Sequence, residues 1–115
     1  MIEEIRRQQI ELCHKYRAPY EPLDFKLSLG VSSNLFSFDR PINGLRHPAE
    51  GNTSGWYLWA GELSDAADFF HPLHAHHLFE EHPKWLRFLG LPAGWRFLLA
   101  DDYEDVWYDA NLLLV

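Results

Sequence analysis

The tightest constraint on the fold is a pair of aromatic segments that each begin at Gly-Trp: Gly55-Trp56-Tyr57-Leu58-Trp59-Ala60-Gly61-Glu62 and Gly94-Trp95-Arg96-Phe97-Leu98-Leu99-Ala100. The second runs through an acidic link into Val106-Trp107-Tyr108-Asp109, and four of the five tryptophans fall in these stretches. Aromatic residues suit a pleated, half-buried surface, while glycine admits a sharp backbone entry that a side chain would obstruct. Together these features predict the centre of an antiparallel sheet. A sheet core needs neither a nucleophile nor a ligand, so any function has to be read from other residues.

Around that centre the chain alternates helix and strand signals. Ile2, Ile5, Leu12, Cys13 and Tyr16 share one arc at helical spacing, with Ile10 off it and Glu3, Arg6, Arg7, Gln8 and Glu11 on the solvated side; this predicts an N-terminal helix within residues 1–18, ended by Pro19 and Pro22. Leu23, Phe25, Leu27, Leu29 and Val31 alternate with polar or small residues, as in a strand buried on one face. Ser32-Ser33-Asn34 interrupts it, and Leu35 to Phe38 reads as a resumed extended course or a buried corner. Pro41, Asn43-Gly44, Pro48 and Gly51-Asn52 then punctuate a long loop from Asp39 to Ser54, a length that leaves room for function.

Beyond the first Gly-Trp segment, Ser64 or Asp65 could cap a short helical turn. A central helix is predicted from Pro72, with an apolar stripe of Ala75, Leu78 and Phe79. Pro83 restarts or kinks it, and Gly90 offers a left-handed cap. The link Asp101-Asp102-Tyr103-Glu104-Asp105 contains no glycine and so predicts a four- or five-residue turn rather than a tight hairpin. The expected architecture is a single α+β domain over residues 1–115. Its core spans 23–115: a mainly antiparallel sheet, with the N-terminal and central helices packed against it. A chain of 115 residues can bury one such core without disulfide or metal staples.

Charge narrows the functional classes. Ten Lys and Arg against seventeen Asp and Glu give a formal net charge of -7, whereas nucleic-acid binding draws on concentrated positive charge. A basic protein surface would be attracted instead. No apolar run approaches the roughly 20 residues that cross a bilayer, and the start at Glu3, Glu4, Arg6 and Arg7 lacks the pattern of a secretion signal. The expectation is a cytoplasmic protein with neither a nucleic-acid nor a membrane partner. The single cysteine, Cys13, can form no intrachain disulfide and reads as packing rather than as a reactive thiol.

The segment Ser54 to Glu62, followed by Asp68-Phe69-Phe70-His71-Pro72-Leu73-His74, resembles the bacterial immunity proteins of family 33 and their close relatives. Leu89-Gly90-Leu91-Pro92-Ala93-Gly94-Trp95-Arg96-Phe97-Leu98 and Tyr103-Glu104-Asp105-Val106-Trp107-Tyr108-Asp109 are similar to later segments of that family, in the same order. The likeness runs from about Gly30 to Leu114. It implies a small α+β cytoplasmic protein that binds and neutralises a cognate toxin of a polymorphic toxin system, with no catalytic residue to carry over. The matching Trp, Gly and Leu positions read as scaffold.

Three constellations remain. Histidines at 71, 74, 76, 77 and 82 invite a metal-binding reading, since His74 and His77 on a helix could converge with Glu81. The chain lacks a His-Glu-x-x-His pattern, so solvated histidines are the plainer account and neither a metal nor another cofactor is expected. The aromatic wealth admits a small-molecule pocket, although core packing explains it as well. Asp101, Asp102, Glu104 and Asp105, extended by Glu62, Asp65 and Asp68, form the candidate partner-binding set: acids gathered in turns can meet a toxin, for instance a basic nuclease, without disturbing the core. Catalytic carboxylates would need environments that separate their pKa values, and a turn of exposed acids supplies none.

Overall fold

A computed structural model describes residues 2–36, 41–81 and 83–114. The elements are α1 (Ile2–Lys15), β1 (Ser28–Ser32), β2 (Ile42–Arg46), β3 (Thr53–Ala60), β4 (Phe70–His74), α2 (Ala75–Glu81), a 3-10 turn (Lys84–Phe88), β5 (Trp95–Ala100), β6 (Tyr103–Tyr108) and a second 3-10 turn (Ala110–Leu113). The strands form one six-stranded sheet in the order β4-β1-β3-β2-β5-β6. All neighbours are antiparallel except β1 and β3, which run parallel. The α+β architecture and the mainly antiparallel sheet are those the sequence predicts.

One face of the sheet carries the core. Leu29 and Val31 of β1, Ile42 of β2, Trp56, Leu58 and Ala60 of β3 and Phe97 of β5 pack against Ile5, Leu12 and Cys13 of α1, Ala75 and Leu78 of α2, and Trp85, Leu86 and Phe88. The Phe88 and Phe97 rings stack at 4.5 Å, and Trp56 meets Phe97 edge-on at 5.9 Å. Helix α1 buries Gln9 along with Ile5, Leu12 and Cys13, while Ile2 and Ile10 stay exposed. Gln9 earns its interior place through hydrogen bonds: its amide donates to the Leu86 carbonyl at 3.1 Å and accepts from the Tyr20 hydroxyl at 3.4 Å. The helix ends where Arg17 takes a positive φ of 59° and the Ala18 amide reaches back to the Cys13 carbonyl at 2.9 Å, a Schellman closure built without glycine.

Several local expectations shift. The alternating run from Leu23 becomes a strand only at Ser28, because Leu23 to Leu27 turn before entering the sheet. Leu35 and Phe36 lie in a turn, and Ser37 to Arg40 lie outside the described residues. The expected long loop holds β2, near the middle of the sheet. Asn43-Gly44 is a strand dipeptide there, and Gly44 is small because Phe97 crosses it. Pro72 sits within β4 rather than opening a helix, which an edge strand tolerates, so α2 starts at Ala75. The segment after Pro83 is 3-10. Gly90 has no positive φ; it is small because a Cβ would strike Tyr20 and Gln9. Residues 62–69 form no helix, and Ser64 Oγ accepts instead from the Ala66 amide at 3.1 Å.

Both Gly-Trp entries behave as expected. Gly55 and Gly94 hold φ of 92° and 95°, and a Cβ on Gly55 would fall 1.8 Å from the His47 carbonyl oxygen. Between them lies Arg46, only 2% exposed. Its guanidinium donates to the carbonyls of Ser54 (3.2 Å), Glu21 (3.0 Å) and Leu91 (2.9 Å), pairs with the Glu21 carboxylate at 3.1 Å and lies over Trp56. Burial lowers its pKa against the opposing pull of Glu21. Two of those oxygens, from Glu21 and Leu91, belong to irregular segments, which the charge fixes against β3.

Candidate functional site

The strand register decides where the candidate acids fall. Ile42 pairs with Ala60 on one side and with Leu99 on the other, Ser32 pairs with Phe70, and Ala100 pairs with Tyr103. The β3–β4 loop and the β5–β6 turn therefore leave the sheet at the same end. Glu62, Asp65 and Asp68 occupy the loop, Asp101 and Asp102 the turn, and all are exposed. Only β2 separates β3 from β5, so the two exits lie about 10 Å apart at ordinary strand spacing. The turn is tighter than its composition predicts: Asp101 and Asp102 alone link Ala100 to Tyr103, and neither takes a positive φ.

Glu104 and Asp105 part company because successive side chains of a strand face opposite ways. Glu104 points to the helix layer, where its carboxylate accepts from Lys15 Nζ at 3.2 Å, Arg87 Nη2 at 3.2 Å and the Tyr16 hydroxyl. Burial raises its pKa, but those hydrogen bonds outweigh burial and leave it below the usual glutamate value. Its charge is met by cations from α1 and the 3-10 turn, and it ties both to β6. Asp105 points to the other face, is exposed, and forms no ion pair among the described residues.

Among the described residues neither α-helix packs on that other face; only the second 3-10 turn meets it, where the Leu112 carbonyl lies 2.9 Å from His47 Nδ1. Along β3 it presents Thr53, Gly55, Tyr57 and Trp59, which with Leu45, His47, Pro48, Glu50, Leu63 and Phe70 line a groove of about 390 Å³. Phe70 stands edge-on to Tyr57 at 5.2 Å and to Trp59 at 6.1 Å. The Tyr57 ring lies across Gly30 of β1, where a Cβ would come within 2.7 Å of it. The alternation of Trp56 and Leu58 with Tyr57 and Trp59 was the available signal for this second aromatic face. The groove shares Leu63 with the acidic β3–β4 loop.

The histidines divide between two elements. His71 and His74 belong to β4, and His76 and His77 to α2. The His76 and His77 rings lie 4.1 Å apart and His74 stands 5.8 Å from His76, but among the described residues no three His, Cys, Asp or Glu side chains converge on a metal-sized point. His82 lies outside the described residues. Cys13 is buried, donates to the Gly90 carbonyl at 3.3 Å, and has its pKa pushed up to about 11 by burial, so it is a protonated packing group. Among the described residues no helix is long and apolar enough to cross a membrane.

The chain folds as a small α+β domain whose exposed acids gather at one end of the sheet. Residues 8–109 match the Imm33-like domain, and the chain belongs to that immunity-protein family. Comparison with curated proteins gave no match, and none was found among solved structures.

Proposed function

We propose that this chain is an immunity protein that neutralises a cognate toxin by direct binding. The observation that carries this reading is the Imm33-like match over residues 8–109. The net charge of -7 and the exposed acids at one sheet end support a toxin with a basic surface, such as a nuclease; the encounter is assigned to the cytoplasm from the family reading alone. Asp101, Asp102, Glu62, Asp65 and Asp68 steer the approach from that end. Asp105 joins them from the open face, and Glu104 contributes by holding the hairpin to the helices.

The test is to identify a toxin domain encoded in a neighbouring gene and to express it with and without the chain. Growth rescue together with a one-to-one complex in calorimetry is the expected result; an unrescued culture and no heat of binding would remove the reading. Within a binding pair, Asp101→Lys with Asp102→Lys should slow association about tenfold at low salt, flatten its salt dependence and leave the melting temperature unchanged, because peripheral charges act on encounter. Unaltered association kinetics in that variant would place recognition elsewhere.

A further inference from the structure

The two edges of the sheet are not equivalent. At one edge, β4 contains Pro72, which has no N–H to offer, and runs directly into α2. At the other, β6 keeps an unbroken register with β5 from Trp95–Tyr108 to Ala100–Tyr103. The Asp109 amide donates to the Gly94 carbonyl, and antiparallel alternation from that bond turns the main chain of Trp107, Asp105 and Tyr103 inward to β5. The N–H and C=O groups of Glu104, Val106 and Tyr108 consequently face outward, with no strand beyond them among the described residues.

The side chains along this edge are unusual for one that needs only to stay solvated. Tyr103 is 56% exposed, Trp107 37% and Tyr108 51%. On the open face Tyr103, Asp105 and Trp107 stand in a row at two-residue spacing, a carboxylate with no ion pair among the described residues set between aromatic rings. Arg96, the cation nearest in register, is already engaged by Asp109 at 3.2 Å and by the Trp107 ring.

We propose that the β6 edge takes an extended segment of the toxin as an added strand, one that presents a Lys or Arg to Asp105 between apolar residues set against Tyr103 and Trp107. The proposal rests on the reading of the chain as an immunity protein and deepens it. Main-chain pairing supplies attachment and the alternate side chains supply choice, as in other strand additions. A second copy is the poorer occupant: β6 has two self-pairings that overlap five residues, and one sets Asp105 against its own copy, where like charges directly opposite destabilise a pair, while the other sets it against Trp107 of the copy and supplies no cation. The same carboxylate therefore discourages self-pairing and selects a cationic strand. The acidic turn at Asp101 and Asp102 lies at the end of this edge, where it guides the incoming strand.

Val106→Pro removes an outward N–H and leaves the inward ladder of Asp105 and Trp107 untouched. Against a toxin domain identified among the neighbouring genes, the variant should bind at least about tenfold more weakly than the parent while keeping its native circular dichroism. Asp105→Asn should weaken binding and reduce its salt dependence. Independently of any variant, hydrogen exchange of the parent complex should show new protection at the Glu104, Val106 and Tyr108 amides. If the parent binds but these amides stay unprotected, or if a folded Val106→Pro binds equally well, the edge is not the docking surface. A dimer of the chain alone that Val106→Pro dissolves would overturn the choice of occupant. Failure of the parent itself to bind would instead remove the immunity reading, and this proposal with it.

Discussion

Phe97 fills the space that a side chain on Gly44 would need: a Cβ there would fall 2.2 Å from the Phe97 ring and 2.8 Å from a Leu58 methyl. Those neighbours belong to the strands on either side of β2, and Phe97 is stacked in turn on Phe88. The ring has nowhere to retreat, so Gly44→Ala should destabilise the fold by about 1–3 kcal/mol, the usual range for an overpacked core. Urea denaturation followed by tryptophan fluorescence reads this directly. A midpoint equal to the parent's would mean that Phe97 can move.

Arg46 and Glu21 form an ion pair whose halves are unequal, since the arginine side chain is 2% exposed and the glutamate side chain 40%. Arg46→Ala abandons three main-chain carbonyls as well as the pair, and should cost at least about 3 kcal/mol, as loss of a buried hydrogen-bonded charge does. Glu21→Gln keeps its main-chain carbonyl in place and should cost under about 1 kcal/mol. Equal losses in the two variants would contradict the role given to the main-chain contacts.

The Glu104 carboxyl lies below its ordinary value of 4.5 because hydrogen bonds to Tyr16, Lys15 and Arg87 outweigh burial. A depressed carboxyl pKa stabilises the fold above the unfolded value, and that contribution is lost as pH falls through the folded one. Melting temperature should therefore drop as pH is lowered below the ordinary glutamate value of 4.5, and Glu104→Gln should flatten that part of the profile. Parallel profiles for parent and variant would show that Glu104 carries none of the acid sensitivity.

Arg17 holds a left-handed conformation that glycine adopts without strain. Arg17→Gly should leave α1 intact and raise stability by up to about 1 kcal/mol, the relief of strain exceeding glycine's greater unfolded entropy. A lowered denaturation midpoint would reverse that balance.

What could be read from the sequence follows a physical divide. The Gly-Trp strands and α1 are legible because local periodicity and local backbone demands agree there. Strand β2 is hidden because Pro41, Asn43-Gly44 and Pro48 imitate a loop; the reason for Gly44 is a ring 53 positions away, which no window of sequence contains. Strand β4 is hidden by Pro72, acceptable only because the strand ends the sheet. At the candidate site, the placement of the acids in exposed connections was visible in composition. The inward turn of Glu104 was not, since Lys15 and Tyr16 meet it from the other end of the chain. Nor could composition show that the β3–β4 loop and the β5–β6 turn share one end, which depends on register across four strands.

The parallel pairing of β1 with β3 sets an order of events during synthesis. Strand β1 lies between β3 and β4, so the first strand to leave the ribosome has no neighbour until β3 follows it, and lacks the second until residues as far as His74 have been made. The β2–β3 and β5–β6 hairpins close locally, but β1 pairs only with a strand more than twenty residues on and then keeps its other edge open until β4 arrives. A nascent chain stalled before Phe70 would carry half of a slot and no way to close it.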